Sequence, residues 1–552
     1  MTKLSTTGSK HNGKYVQRYK DSNVLHLIII FLCFYISSIA QVTKGEYYFE
    51  SVLNNGEGWW GGVVVDGSFM PFGKYEYRHD LYGDVKENQG SPVLISNSGR
   101  YIWCDEPFRF EFNNDSIKVS SNLSLIQAGK AGNSLRDAYM FVSQNFFPPQ
   151  GEIPEAILFT TPQYNTWIEL TYNQNEKDIL NYAQAIINNG FPPGVIMIDD
   201  NWQEDYGTWN FKAAKFNDPP KMVGKLHELG FKVMLWVCPF VSADSPNYRL
   251  LEKESAFLIE DNEKKRPAII RWWNGASALL DFTNPFAEKW FIDQLKLLME
   301  TFGIDGFKFD AGDPNFYTGE ILSNKSITPN KHSELFAKIG LEFPLNEYRA
   351  CWKMGGQPLA QRLRDKRHDW QDLRLLIPGI IAQGLMGYQF TCPDMIGGGE
   401  YGSFLNLQTI DEELIVRSAQ CSALMPMMQF SVAPWRILSK ENIEICREMA
   451  DLHKKMGGEI LKLAKKSAVS GEPIVRNMEY VFPHEGYSEI KDQFMLGDDI
   501  LVAPVLEKNT YSREIVFPLG KWLGDDESII SGPCKIKVEV PINRLPWYRR
   551  IN

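Results

Sequence analysis

Cysteine and histidine are both scarce in this chain. Its 552 residues hold eight Cys and eight His. No C-x-x-C occurs, so neither a zinc knuckle nor a dithiol redox motif is present. Cys33 lies in the amino-terminal apolar run. The other seven, Cys104, Cys238, Cys351, Cys392, Cys421, Cys446 and Cys534, are an odd number, so at least one thiol is expected to stay unpaired in an oxidising compartment. No two His stand at i, i+4, and neither H-E-x-x-H nor D-x-D-x-D-G occurs, so no metal and no cofactor are expected. Basic charge is also short: 58 Lys and Arg face 68 Asp and Glu, a net −10, which argues against a nucleic-acid protein. Beyond residue 40 no apolar run is long enough to span a bilayer. There is no internal repeat, P-loop or G-x-S-x-G. Gly56-x-Gly58-x-x-Gly61 and Gly397-x-Gly399-x-x-Gly402 match the dinucleotide fingerprint in spelling only. Neither opens a helix after a strand, so both read as turn glycines.

What remains is ordinary globular composition, 44% hydrophobic and 23% charged, which excludes general disorder. Aromatics reach 13%, with 15 Trp. An acidic, Trp-rich protein suits neutral polar ligands such as sugars, although most of these rings are expected in the core. Residues 1–40 carry Lys3, Lys10, Lys14, Arg18 and Lys20, then an apolar stretch over 25–40 ending in Ser38-Ile39-Ala40. This reads as a signal peptide cut before Gln41, or as an uncleaved signal anchor of a type II membrane protein. Sequons at Asn114, Asn122 and Asn324 are candidate glycosylation sites and fit the secretory pathway, whether secreted or lumenal in endoplasmic reticulum, Golgi or lysosome.

Residues 41–155 carry short alternating runs, such as 62–65 and 101–104, and read as an N-terminal β-sandwich. From 156 to 440 apolar strands alternate with helices: strands over 167–172, 194–198, 232–237, 306–310, 387–391 and 427–431, and helices over 176–189, 220–229, 284–302, 371–383 and 412–424. That is the texture and size of an α/β chain folded as one (β/α)₈ TIM barrel. Residues 441–552 begin with a helix through Lys465. Strands over 474–480, 500–504, 514–517 and 536–540 follow, a C-terminal β-sandwich.

Barrel active sites lie at the C-terminal ends of the strands. Three of these ends carry carboxylates: Asp199-Asp200, Asp310-Ala311-Gly312-Asp313, and Cys392-Pro393-Asp394. A single Asp at a strand end is usually a turn residue; three together weaken that reading. Carboxylates gathered at a barrel mouth serve divalent metals or glycoside hydrolysis, and the poverty in His disfavours metal.

These segments resemble glycoside hydrolase family 31. Gly306-Phe307-Lys308-Phe309-Asp310-Ala311-Gly312-Asp313 is similar to its nucleophile segment. Arg364-Asp365-Lys366, Trp370-x-x-Leu373-Arg374-x-x-Ile377-Pro378-Gly379 and Pro393-Asp394-Met395-Ile396-Gly397-Gly398 are similar to its acid/base region. Residues 492–506 resemble its post-barrel β domain. Arg271-Trp272-Trp273-Asn274-Gly275 and Met427–Ser431 look most like the myogenesis-regulating glycosidase group, whose members resemble α-galactosidases. The resemblance implies a retaining α-glycosidase acting on an oligosaccharide or glycoconjugate, with a terminal α-galactoside first and an α-glucoside as the alternative. A catalytically silent, glycan-binding barrel is the alternative of another class.

Carried over, Asp310 is the nucleophile and Asp365 the acid/base, its pKa expected to be raised, with Arg364 and Lys366 turned away. By numbering alone Asp369 and Asp372 stay open as the acid, and spacing to Trp370 and Pro378 favours Asp365. Asp199, Asp200 and Asp394 are candidate acceptors for sugar hydroxyls, Arg349 and Lys308 candidate donors, and Trp236 and Trp273 candidate stacking walls, ahead of Trp272. Starch-type members carry an aromatic where Lys308 stands and a His near the last strand, where this chain has none. Membrane anchoring through 25–40 and a homo-oligomer are both compatible with the sequence.

Overall fold

The computed structural model describes residues 41–43, 46–113, 115–261, 263–405, 407 and 409–551. The targeting segment and Asn114 lie outside them. Among the described residues no helix is long and apolar enough to cross a membrane.

Eight parallel strands form the central barrel: β1 (Gln163–Asn165), β2 (Val195–Ile198), β3 (Lys232–Val237), β4 (Gly306–Phe309), β5 (Asn346–Tyr348), β6 (Gln361–Arg362), β7 (Thr391–Cys392) and β8 (Gln429–Phe430). They pair in sequence order, and β8 pairs with β1. The ring closes between β7 and β8 through a parallel bridge of Met395 with Gln429. The Val-Ile-Met-Ile run of β2 is buried throughout, as a strand covered on both faces must be. The barrel helices carry their own start and stop signals. Glu176–Asn188 is capped by Asn175, whose side chain accepts from Asp178 N, and buries Ile179, Tyr182, Ala183 and Ile186 on one face. Pro285–Phe302 starts at an Asn284 cap with Pro at its first position and stops at Gly303 in the left-handed conformation (φ 74°).

Several sequence expectations shift here. Residues 167–170 form one helical turn, and β1 lies just before it. The amides of this turn find partners outside any ladder: Trp167 N donates to Asn165 Oδ1 (2.8 Å) and Ile168 N to Ser431 Oγ (2.7 Å). The helix expected over 371–383 is two, Trp370–Leu373 and Leu376–Leu385. The strand expected over 387–391 reduces to β7, and that over 474–480 to Val475–Arg476, because Asn477 caps a new turn at Met478–Val481. The strands β5 and β6 were not anticipated; they are short and largely polar.

The amino-terminal region holds two antiparallel sheets. One orders Gln41–Thr43, Glu46–Val52, Ser116–Ser121, Arg109–Asn113 and Tyr77–Asp80. The other joins Gln89–Ser96, Arg100–Cys104 and Ile126–Lys130, with Trp59–Val63 alongside. Its far edge is not its own: Cys351–Trp352, from the loop after β5, pairs in parallel with Gln89 and Gly90. The carboxy-terminal β domain is a six-stranded antiparallel sheet reached through the helix Lys440–Ser470. Arg417, fully buried on a barrel helix, donates to the carbonyls of Thr510 and Val540 (both 3.1 Å) and so ties that domain on. All seven described cysteines are free thiols, and six of them are buried.

The contact between the amino-terminal region and the barrel leaves no spare room at Gly67. A Cβ there would stand 2.4 Å from Pro378 O. Gly67→Ala is therefore expected to cost about 1–3 kcal/mol, read as a lower unfolding midpoint in denaturant. An unchanged midpoint would mean that this contact is soft.

Candidate active site

The C-terminal ends of the barrel strands open into a cavity of about 690 Å³. Asp199, Asp200, Trp236, Trp273, Lys308, Asp310, Arg349 and Asp365 all line it. Of the residues expected to bind or cleave the sugar, Asp394 lies outside the lining, buried against Arg362, as does Asp369, while Asp372 lines the cavity. Asn122 and Asn324 are exposed elsewhere on the surface.

Asp310 ends β4. Its Oδ1 accepts from Arg349 Nε (2.6 Å) and Ala311 N (2.8 Å), and its Oδ2 from Trp236 Nε1 (3.0 Å). Burial alone would raise this carboxyl. Arg349 first, then Lys308, Arg362 and the Trp236 bond outweigh it and hold Asp310 well below the usual carboxylate range. Arg349 also forks onto Asp313, with Nη1 at 3.0 Å and Nη2 at 2.7 Å, and lies 5.5 Å from the Trp273 ring. Lys308, one side-chain position below Asp310 on the same face, is buried and pairs with Asp199 Oδ2 at 2.6 Å. Burial would depress its ammonium; the charges of Asp199, Asp310 and Glu347 together more than restore it.

Asp365 follows β6. Its Oδ1 accepts from Arg362 Nη1 (2.6 Å), and 36% of its side chain stays exposed. The same nitrogen reaches Asp394 Oδ1 (2.6 Å), whose Oδ2 takes the amides of Lys366 (2.7 Å) and Gly399 (3.1 Å). Burial pushes Asp394 up, against the pull of Arg362. Asp369 and Asp372 do helix work: Asp369 caps Trp370–Leu373, and Asp372 sits in its first turn, accepting from Arg367 N (2.7 Å). Arg364 does not turn away as expected; it lines the cavity. The Lys366 side chain folds back onto Arg364 O (2.8 Å), and burial brings its amine down to about 8.

Asp200 is buried and receives Gln203, Tyr206, Asn274 and its neighbour Asn201 N. Burial, with Asp199 adding to it, raises its carboxyl to about 7. Asn274 belongs to the hairpin Ile269–Trp272/Gly275–Leu279, so Asp200 also anchors the loop that carries Trp273. Trp272 is buried and donates to Ser277 (3.1 Å), a packing role, though its edge reaches the cavity. Ala311 (φ 58°), next to Asp310, and Asp394 itself (φ 87°) hold left-handed backbone, the kind of strain that gathers at functional sites.

The sequence did not single out Arg362 or the amino-terminal segment Glu87–Gln89, and it showed Asp313 only as part of the strand-end run without a role. Arg349 Nη1 donates to Glu87 O (2.5 Å). Asn88 and Gln89 side-chain amides each reach the carbonyls of both Arg349 and Arg362, between 2.6 and 3.2 Å. For Arg362 the available signal was a lone Arg inside an otherwise uncharged run, Leu359–Leu363. No group of three or more His, Cys, Asp or Glu among the described residues is arranged to hold a metal.

Comparison with known proteins bears on the family and the fold. The family model described as glycosyl hydrolases family 31 TIM-barrel domain matches residues 162–456, and the one for the family's C-terminal domain matches 471–552. The chain is 32% identical over 406 residues to the myogenesis-regulating glycosidase of Mus musculus, covering 71% of this chain and 56% of that protein. It is 24% identical over 480 residues to α-xylosidase XylQ of Lactiplantibacillus pentosus, covering 80% and 59%. It thus spans about half the length of the curated relatives it matches. Among solved structures, the Flavobacterium johnsoniae GH31 dextranase complexed with glucose superposes with a TM-score of 0.81 at 20% identity, over 94% of this chain and 67% of that one.

Arg349→Met is expected to return Asp310 towards ordinary carboxylate behaviour. A carboxyl held low in the folded protein adds stability above its unfolded pKa, about 3.9, and loses it as pH falls through the folded value. The stability gap between wild type and variant, measured by denaturant titration, should be widest near neutrality and shrink below about pH 4. A gap constant with pH would mean that Arg349 does not set the ionisation of Asp310.

Proposed function

The chain belongs to glycosyl hydrolase family 31, and on that footing we propose that it is a retaining α-glycosidase acting on terminal α-linked hexose, galactose first. The observation that carries the reading is the pairing of Asp310 and Asp365 on one cavity from separate strand ends, the first locked as an anion and the second partly open to solvent. A retaining mechanism needs this division of labour. Asp310 attacks the anomeric carbon while Asp365 gives its proton to the departing oxygen. Asp365 then takes a proton from the water that releases the sugar from Asp310. Because Oδ1 of Asp310 carries two donors and Oδ2 one, Oδ2 has the freer lone pair and is the attacking oxygen.

Asp199, Lys308 and Asp200 form the polar floor that would bind the sugar hydroxyls, with Asp394 and Arg362 directly below. The preference for galactose rests on the likeness to the myogenesis-regulating group. The floor departs from the starch-type pattern, with Lys308 in an ion pair and Gln429 on the last strand bonded to Glu347 (2.8 Å) and Gln163 (3.0 Å), which weighs against glucose. A secretory-pathway location belongs to the same reading, supported by the exposed sequons at Asn122 and Asn324.

Paired chromogenic α-galactoside and α-glucoside substrates test it. Selective galactoside turnover is expected, with Asp310→Asn reduced by about 10⁴-fold or more. Asp365→Ala should retain turnover of substrates with good leaving groups, and added azide should restore rate and yield the α-configured glycosyl azide. Glucoside selectivity would overturn the galactose assignment. Sugar binding without turnover of any substrate would favour the silent glycan-binding barrel.

A further inference from the structure

Two hairpins are tied at their tips to one carboxylate, Asp200. In the first, Gln203–Asp205 pairs with Thr208–Phe211 and Tyr206 stands in the turn. In the second, Ile269–Trp272 pairs with Gly275–Leu279 in the register Trp272 to Gly275, so Trp273 and Asn274 are its two turn residues. The Tyr206 hydroxyl donates to the Asp200 carboxylate, 3.1 Å from each oxygen, and the Asn274 amide donates to Oδ2. Asn201 N (2.7 Å) and Gln203 Nε2 (3.1 Å) donate to Oδ1. Every one of these partners is a donor, which is what a buried carboxylate needs in its ionised form.

Base and tip of the second hairpin are held differently. The base is secured by backbone pairing of Ala278 and Leu279 with Val241 and Phe240, and by Trp272 packed on Tyr206 (4.7 Å) and Phe240 (4.9 Å). Towards the tip the strands lean out: Arg271, Gly275 and Ala276 are exposed, and a Cβ on Gly275 would meet nothing within 4 Å. Trp273 is 49% exposed, and its ring meets Trp272 (5.0 Å), Phe316 (6.1 Å) and the Arg349 guanidinium (5.5 Å). Contacts of that kind are attractive but only weakly directional. The Asn274 bond to Asp200 is charge-assisted and directional. It sets where the turn sits, and hence where the Trp273 ring lies against Arg349, whose Nε bonds Asp310 at 2.6 Å.

We infer that Asn274 is a positioning residue: by tying the hairpin tip to Asp200 it holds Trp273 in place as a wall of the cavity and keeps that ring packed on the arginine that orients the nucleophile. This rests on the glycosidase reading of the cavity. Trp273 and Asp200 line the cavity and Asn274 does not, so Asn274 acts through its neighbours. The titratable groups that face Asp200 are Asp199 beside it, Tyr206, Tyr172 and Cys238, with Lys308 committed to Asp199. The hairpin contributes the neutral Asn274 to this group. A carboxyl in its place would set two buried carboxylates against each other, and such a pair keeps a tie only by sharing a proton.

A double-mutant cycle on the chromogenic α-glycoside that wild type cleaves tests this. Asn274→Ala is expected to lower kcat/KM by about ten- to a hundredfold, the scale of a misplaced group beside the reacting atoms, and to cause no further loss in a Trp273→Ala background. Asn274→Asp should be impaired near about pH 7.5 and recover relative to wild type as pH falls to about 5.5, where the two carboxyls share a proton. Amide hydrogen exchange over residues 269–279 should quicken in Asn274→Ala while the barrel strands keep their protection. Additive losses in the cycle, undiminished turnover in Asn274→Ala, an Asn274→Asp profile parallel to wild type, or unchanged exchange over the hairpin would each overturn the inference. Should wild type cleave no glycoside, quickened exchange in Asn274→Ala would keep the anchor and sink the glycosidase reading instead.

Discussion

One guanidinium holds the mouth of the barrel together. Arg349 is buried, and its donors are distributed over Asp310, both oxygens of Asp313 and the carbonyl of Glu87, with Trp273 packed on its face. Taking such a charge out of water costs several kcal/mol, offset only when every donor finds a partner in good geometry. Here each partner comes from a different piece of chain: a barrel strand, the loop beyond it, the amino-terminal region and the hairpin tip. Moving any of these pieces costs the buried guanidinium one of its contacts. The same contact that orders the site thus holds Asp310 ionised, so architecture and electrostatics are one constraint.

Arg362 repeats the pattern one layer down. It pairs with Asp365 and Asp394 and stands 3.3 Å from the buried Glu347, while Lys308 pairs with Asp199 beside it. The floor of the cavity is a mosaic of alternating charge, shielded from water and largely paired. Polar groups fixed before a ligand arrives need not reorganise when charge develops above them. The amino-terminal region is part of this preorganisation. Asn88 and Gln89 hold the carbonyls of both arginines, and Cys351–Trp352 extends that region's sheet. This region therefore helps to shape the site of this chain, even though no residue in it belongs to the candidate catalytic pair.

What the sequence made legible follows from range. Carboxylates at the ends of long apolar strands, Asp199 and Asp310, could be read directly, because a run such as Val195–Ile198 declares both the strand and its end. Asp365 and Arg349 needed a resemblance, because β5 and β6 are only three and two residues long and too polar to show a period. Trp167 was assigned to a strand since its neighbours are apolar. The side chains of Asn165 and Ser431 that satisfy its turn could not be weighed from local pattern. Glu87 to Gln89 were out of reach entirely: their partners lie about 260 residues away, and nothing local marks a loop that clasps two arginines.

The two candidate catalytic carboxyls are treated in opposite ways, and the opposition is the strongest physical argument for their roles. Asp310 has both oxygens occupied by donors and three cations acting on it, so one ionisation state is fixed. That suits a group that must stay anionic until it forms a bond. Asp365 has one close ionic contact, through an arginine nitrogen it shares with Asp394, and keeps a third of its side chain open. A group asked to lose and regain a proton in every cycle needs that freedom: access for water, and a partner whose charge can be transferred to a neighbour. Arg362 can lean on Asp394 while Asp365 is neutral and return when it is an anion. In this arrangement the buried Asp394 gives Arg362 an anionic partner whichever ionisation state Asp365 holds.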